Sequence, residues 1–201
     1  NILWNSNIEL LLKHKSVRKF LQDPLPEGAV NTMIAAAQSA SNSGNLNQWS
    51  VIEVTDQKLK NKLGAASRKN SNVGMGNPYI EEAPTLLMWV ADLHRNSKIA
   101  SRENENHIVY DYLDPVIMAS VDAALAAQNA AIAAESMGLG IVYLGVMRNN
   151  ALEVAELLHL PDHSFIVFGM AVGKPDPSKL SSIRPRLSQK IVLHTNYYNS
   201  E

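Results

Sequence analysis

The sequence predicts an α+β fold, with a mostly antiparallel central sheet surrounded by helices. Three observations point there. Helix-like and strand-like segments interleave along the chain, two helices come before the first strand, and one long alanine-rich helix dominates the second half. The 201 residues fit one domain, 1–201, with residues 178–201 as an extended C-terminal arm. Hydrophobic residues make up 46% and charged residues 18%, enough to bury a sizeable core and to exclude disorder.

Each element has its own reason. Ser6 stands three residues before Glu9, a capping-box spacing, and Ile8, Leu11 and Leu12 add an apolar stripe, so a helix is expected over about 7–15. Residues 22–28 hold Pro24 and Pro26 and read as turns. Val30, Met33, Ile34 and Ala37 repeat at helical spacing, and that helix runs out in the polar run 39–47. Residues 49–54 are short and β-branched, hence a strand. Asp56 can cap a third helix carrying Leu59 and Leu63. Residues 68–78, with Gly74 and Gly76, read as a loop, and 85–91 as an apolar strand. Residues 96–106 are polar and read as an exposed insertion or lid. Asp114 and Pro115 suit an N-cap and a first helical position. The helix running from there to Met137 is apolar on most faces and ends at Gly138 and Gly140. Residues 141–146 read as a strand, 149–158 as a helix stopped before Pro161, and 165–172 as a strand.

The composition bounds the function. A net charge of −1 argues against a general binder of nucleic acid or of acidic membranes. The sequence contains no cysteine, so disulfides, thiolate nucleophiles and thiolate metal sites are excluded, and any redox chemistry must sit on a bound cofactor. The lack of cysteine fits a cytoplasmic location. No signal-peptide pattern opens the sequence. The apolar stretch 116–134 includes Asp122, Gln128 and Asn129 and reads as a buried helix, not a membrane span.

Four segments could carry chemistry. His14-Lys15-Ser16-Val17-Arg18 offers three basic groups and a hydroxyl, suited to a phosphate or a carbonyl edge, or else is a solvated helix C-terminus. The run Ser41 to Trp49 places Asn42, Ser43, Gly44, Asn45 and Asn47 between a helix and a strand. Its amides and hydroxyls could meet a polyol or a heteroaromatic edge, and the same residues are ordinary turn formers. The run Gly138 to Asn149 has two glycines that end a helix and a third, Gly145, in or just after a strand, where it could let backbone approach a flat ligand, or the three could serve as helix cap and bulge; its order, helix before strand, does not fit a dinucleotide-binding glycine pattern. Arg184-Pro185-Arg186 pairs two guanidiniums suited to phosphate, or belongs to a solvated tail.

Together these segments resemble the nitroreductase family, over about residues 8–198, and within it the NADPH-dependent flavin reductase and oxygen-insensitive nitroreductase branch. The most specific stretch is DAALAAQNAAIAAESMGLGIVYLGVMRN, followed by RPRLSQKIVLH; the opening HKSVRKF is shared widely in the family. The resemblance implies an intertwined homodimer with non-covalent FMN at the subunit interface. It implies His14, Lys15, Ser16 and Arg18 on the phosphate, ribityl chain and pyrimidine edge. Asn42, Ser43 and Gly44 would line the flavin, with the partner subunit's Asn45 and Asn47 nearby. Asn77 would stand beside the pyrimidine, Tyr143, Leu144, Gly145 and Val146 would form a backbone wall near the ring, and Arg184 and Arg186 would close on the phosphate. The branch usually continues into a basic C-terminal region that helps hold NADPH, whereas this sequence stops at Glu201, so NADPH or NADH is expected as donor. The implied activity is two-electron, ping-pong reduction of nitro-compounds, quinones or free flavin. The alternative is an FMN-binding protein that stores or senses flavin without turnover.

Other candidates are weaker. His159 and His163 stand four apart, but Pro161 between them breaks the helical face a metal pair would need. His94 and His107 lie in polar surroundings and read as surface groups. Ser43 lacks a strand–Ser–helix elbow. Trp49 and Trp89 read as core residues.

Overall fold

A computed structural model describes residues 2–69, 77–103 and 108–200. Gly74, Gly76 and His107, most of the expected 68–78 loop and the end of the 96–106 segment lie outside these residues.

Four strands form one antiparallel sheet: β1 (Trp49–Val54), β2 (Thr85–Asp92), β3 (Gly140–Leu144) and β4 (Ser164–Gly173), in the order β1-β2-β4-β3. β2 is almost wholly buried, as its unbroken apolar run requires of a central strand covered on both faces. One face carries Leu87, Trp89, Ile141, Met170 and Val172. It is covered by α2 (Ala29–Gln38) and α6 (Leu113–Ser136), whose Ala126, Ala127, Ala130, Ala131 and Ala134 are buried against it. Alanine has little side chain in the way, so a helix lined with it can approach its neighbours closely. The other face carries Leu86, Met88, Val90, Val142 and Leu144, packed by Leu63 and Ala66 of α3 (Gln57–Arg68) and Val154 of α7 (Ala151–Leu157).

Asp56 caps α3 as expected, accepting from the Leu59 N–H at 2.7 Å. Buried Lys60 donates from Nζ to the Ala83 carbonyl at 2.7 Å. Burial pushes its pKa down, opposed by nearby Asp56.

Several local expectations are corrected. The cap of α1 (Ser6–Leu12) is Asn5, whose side chain accepts from Ile8 N–H at 2.9 Å, so Ser6 is the first helical residue. Asparagine caps as well as serine does. Residues 94–102 form a helix, α5 (His94–Arg102), which takes in the start of the segment read as an exposed insertion or lid over 96–106. Its serines bond back into it, Ser97 Oγ to His94 O and Ser101 Oγ to Ser97 O, each at 2.9 Å, so their polarity is compatible with helix. α6 begins two residues early: Tyr112 is the N-cap, and Asp114 sits in the first turn, where its charge suits the helix dipole. β3 stops at Leu144 because Gly145–Arg148 turn into a 3-10 helix, anchored by Arg148 donating to the Val167 carbonyl. α7 begins at Ala151 rather than Asn149, since Asn149 closes that turn and donates to Ser67 O at 3.0 Å. The arm is largely exposed, with a 3-10 turn at Pro177–Lys179 and a short helix, α8 (Gln189–Val192).

Candidate functional site

After α1 the chain crosses the end of the sheet. Val17 N–H donates to Ile141 O at 2.8 Å, and Leu21 N–H to Lys174 O at 2.9 Å. Val17 and Phe20 are buried, while Arg18 is exposed. The crossing depends on two glycines that face each other across β3 and β4, Gly140 and Gly173. A Cβ on Gly140 would lie 2.5 Å from Val17 Cγ2, and one on Gly173 2.8 Å from Phe20 Cδ1. Gly140 therefore makes room for the protein's own chain rather than for a flat ligand, and Gly138 (φ 75°) turns the chain out of α6. Gly145, the glycine weighed for close approach, has only the Arg148 guanidinium near among the described residues, at 3.4 Å. His14 Nδ1 pairs with Glu135 Oε1 at 2.6 Å. Lys15 lines a cavity of about 210 Å³ with Leu10, Lys13, Val17, Glu135 and Gly138.

The polar loop is compact. Asn42 Oδ1 accepts from Asn47 N–H at 3.1 Å, and Asn47 Nδ2 donates to Asn45 O at 2.9 Å. Gly44, Asn45 and Asn47 hold φ of 58°, 56° and 49°. Glycine and asparagine are the residues that tolerate this region best, which explains why the loop is written with them. Ser43 N–H donates to Asp122 Oδ1 of α6 at 2.9 Å. From the other side Arg95 Nη1 donates to Asn47 O at 2.9 Å and Asn96 Nδ2 to Leu46 O at 3.1 Å.

At the exit of β3, Tyr143 packs edge-on against Phe168, centroids 5.1 Å apart, and donates to Gln128 Oε1 at 3.2 Å. Burial pushes its phenol pKa far up, and the Glu135 charge adds to this, so it stays protonated. Leu144 is buried, and Val146 packs against the same cluster.

α6 thus holds three of the four segments. Asp122 takes the polar loop, Gln128 takes Tyr143, and Glu135 takes His14. At 3.6 residues per turn Gln128 and Glu135 share one side of the helix, and Asp122 lies roughly 120° round from Gln128, on the buried side. The sequence signal was present, since these are the polar breaks in an alanine-rich helix, but Asp122 and Gln128 were weighed only against a membrane span. Arg95 was missed as well. Its guanidinium joins Asn47 O, Ser50 Oγ (2.6 Å) and Asp92 Oδ2 (3.0 Å), linking α5 to the loop.

Two other sets of expected residues are bonded locally. Asn77 is bonded locally, its Oδ1 accepting from Tyr79 Oη at 2.7 Å. Arg184 and Arg186 are exposed, and Arg186 Nη1 donates within the tail, to Arg184 O at 3.0 Å. His159 and His163 both have left-handed backbone (φ 52° and 59°) and share no regular helical face. His94 is half-buried, with Nδ1 3.1 Å from Asp162 O. Trp89 is fully buried, and Trp49, half-buried, lies 5.8 Å from it between ring centroids.

Comparison with known proteins accounts for this layout. The nitroreductase family model matches residues 11–174. An NADPH-dependent oxidoreductase of Staphylococcus aureus is 39% identical over 193 residues, spanning 96% of this chain and 74% of the relative. Among solved structures, the NfrA1 nitroreductase of B. subtilis is 37% identical with a TM-score of 0.90, over 98% of this chain and 76% of its own. The NADPH:FMN oxidoreductase of Vibrio harveyi, complexed with NAD+, is 36% identical with a TM-score of 0.88, over 98% and 80%. The chain belongs to the nitroreductase family.

Proposed function

We propose that this chain is an FMN-dependent NAD(P)H oxidoreductase that reduces nitro-compounds, quinones or free flavin, working as a homodimer with the flavin at the subunit interface. Its membership of the nitroreductase family makes it an NAD(P)H-dependent oxidoreductase. The observation that carries it is the convergence of a cationic segment, an amide-rich loop and the β3 exit on one helix, α6.

These residues fit FMN. Lys15 and exposed Arg18 supply cations, and Asn42, Asn45 and Asn47 carry side-chain amides suited to a polyol and a heteroaromatic edge. Gly145 leaves open backbone at the exit of β3. Once bound, the flavin would take a hydride from reduced nicotinamide and pass two electrons to an acceptor. The protein's share is position and charge. His14, Lys15, Ser16 and the tail pair Arg184 and Arg186 would hold the phosphate and ribityl chain. Arg18 would stabilise negative charge on the pyrimidine edge. Tyr143, Leu144, Gly145 and Val146 would wall the ring, and Asn77 would stand beside the pyrimidine.

A second copy is favoured by an uncovered apolar surface. Leu113, Ile117, Val121 and Leu125 of α6 are exposed at four-residue spacing, and Ile183, Leu187, Leu193 and Tyr198 are exposed along the arm.

The test is an anaerobic titration of FMN-loaded protein with NADPH and then NADH, following flavin absorbance. Stoichiometric bleaching is expected, and the faster nucleotide identifies the donor. Flavin that neither nucleotide bleaches would point to storage or sensing. In steady state, one open face used in turn by donor and acceptor gives parallel double-reciprocal lines; intersecting lines would contradict it.

A further inference from the structure

Asp122 is a buried carboxylate, 1% exposed, on the alanine-lined side of α6. One oxygen, Oδ1, accepts from Ser43 N–H, and the other, Oδ2, is buried with no hydrogen-bond partner among the described residues. A half-satisfied buried carboxylate costs stability, and the packing of α6, already supplied by its alanines, does not require one. What it touches is Ser43, near the start of a loop that sits in left-handed conformations at Gly44, Asn45 and Asn47. Such backbone persists only where its surroundings hold it. Arg95 and Asn96 pin the far end of the loop, and Asp122 pins the near end.

We infer that Asp122 is a positioning residue for flavin binding, fixing the loop 42–47 through the Ser43 N–H so that its amide groups are set before the cofactor arrives. The inference rests on the flavin reading of that loop. Its role is preorganisation, so its loss raises the cost of ordering the loop on binding. Because the loop is assigned to the ring side rather than the phosphate, FMN and riboflavin are affected alike.

The experiment compares Asp122→Ala and Asp122→Asn with the wild-type chain. It measures dissociation constants for FMN and for riboflavin, and hydrogen exchange of the Ser43 amide in flavin-free protein. Asp122→Ala is expected to weaken both flavins by the same factor, on the order of tenfold, and to speed exchange at Ser43. Asp122→Asn keeps an acceptor and is expected to stay within about threefold of wild type. Unchanged affinities with an unchanged Ser43 amide overturn the inference. So does Asp122→Asn falling as far as Asp122→Ala, or a loss confined to FMN. Should Asp122→Ala not fold, Ser43→Pro removes the same N–H with Asp122 intact. Asn42 is extended (φ −142°, ψ 159°), as a residue before proline must be. Equal flavin affinities for Ser43→Pro and its control Ser43→Ala would then overturn the inference. Wild-type protein that binds neither flavin would overturn the flavin reading and the cofactor role with it, while Ser43 exchange would still report whether Asp122 holds the loop.

Discussion

The pair Gly140 and Gly173 decides how closely the chain can pass over the end of the sheet. Neither holds a left-handed φ, so the demand is for space alone. Gly140→Ala keeps an allowed backbone but drives a methyl into Val17, whose side chain is buried and whose N–H is already bonded to Ile141. Val17 has no soft end to bend away, so the whole segment 14–20 must lift. The expected cost is about 1–3 kcal/mol in chemical denaturation, as for overpacking elsewhere. FMN should bind more weakly as well, because His14 and Arg18 travel with Val17. A Gly140→Ala protein as stable as wild type would mean that the crossing is looser than the geometry says. The basic segment itself was legible as residue types in sequence. Gly140 beneath it was read as ending a helix, and its role in making room for Val17 was not legible, because one-dimensional order does not tell which neighbour fills the space a missing Cβ leaves.

At the scale of elements, α5 depends on a few polar ties. Ser97 is its one buried residue, so little apolar area holds it down. Arg95 compensates by joining Asn47, Ser50 and Asp92, although its side chain is 48% exposed and water weakens each bond. Arg95→Ala is expected to cost about 0.5–1.5 kcal/mol and to speed amide exchange along His94–Arg102 and at Asn47, read by hydrogen-exchange mass spectrometry. Exchange at the wild-type rate in α5 would show that the helix is held some other way. This element is also where sequence reading stopped short. The strands were legible because β-branched and apolar runs bounded by turns have few other fates: β1 matches its expected limits and β2 runs one residue further, to Asp92. α5 was not, since its residues are polar on most sides and its helicity is secured by serines bonding backward and by an arginine reaching to another strand. The three ties from α6 were hidden for the same reason. A polar residue on an apolar helix announces that it has a partner, but the partners Ser43, Tyr143 and His14 are far away in sequence.

The whole molecule leaves its longest helix half-finished. By length and composition α6 could cross a membrane, yet its alanine face is buried against α2 and the sheet. Leu113, Ile117, Val121 and Leu125 form the opposite, exposed row at i+4 intervals. Rows of this kind pack into one another when two copies of a helix cross at about −50°. A twofold dimer would bury the row against itself, and the apolar arm could then cross onto the partner. Ile117→Glu places a charge in the middle of the row while touching nothing in the buried core. It is expected to turn a dimer into a monomer in light scattering or sedimentation. Flavin affinity should fall in parallel, because the partner subunit's Asn45 and Asn47 are assigned to each site and would be removed with it. A variant that stays dimeric places the interface elsewhere. A monomeric variant that binds FMN as tightly as the wild type would mean that one chain holds a complete site, and the interface location of the flavin would have to be given up.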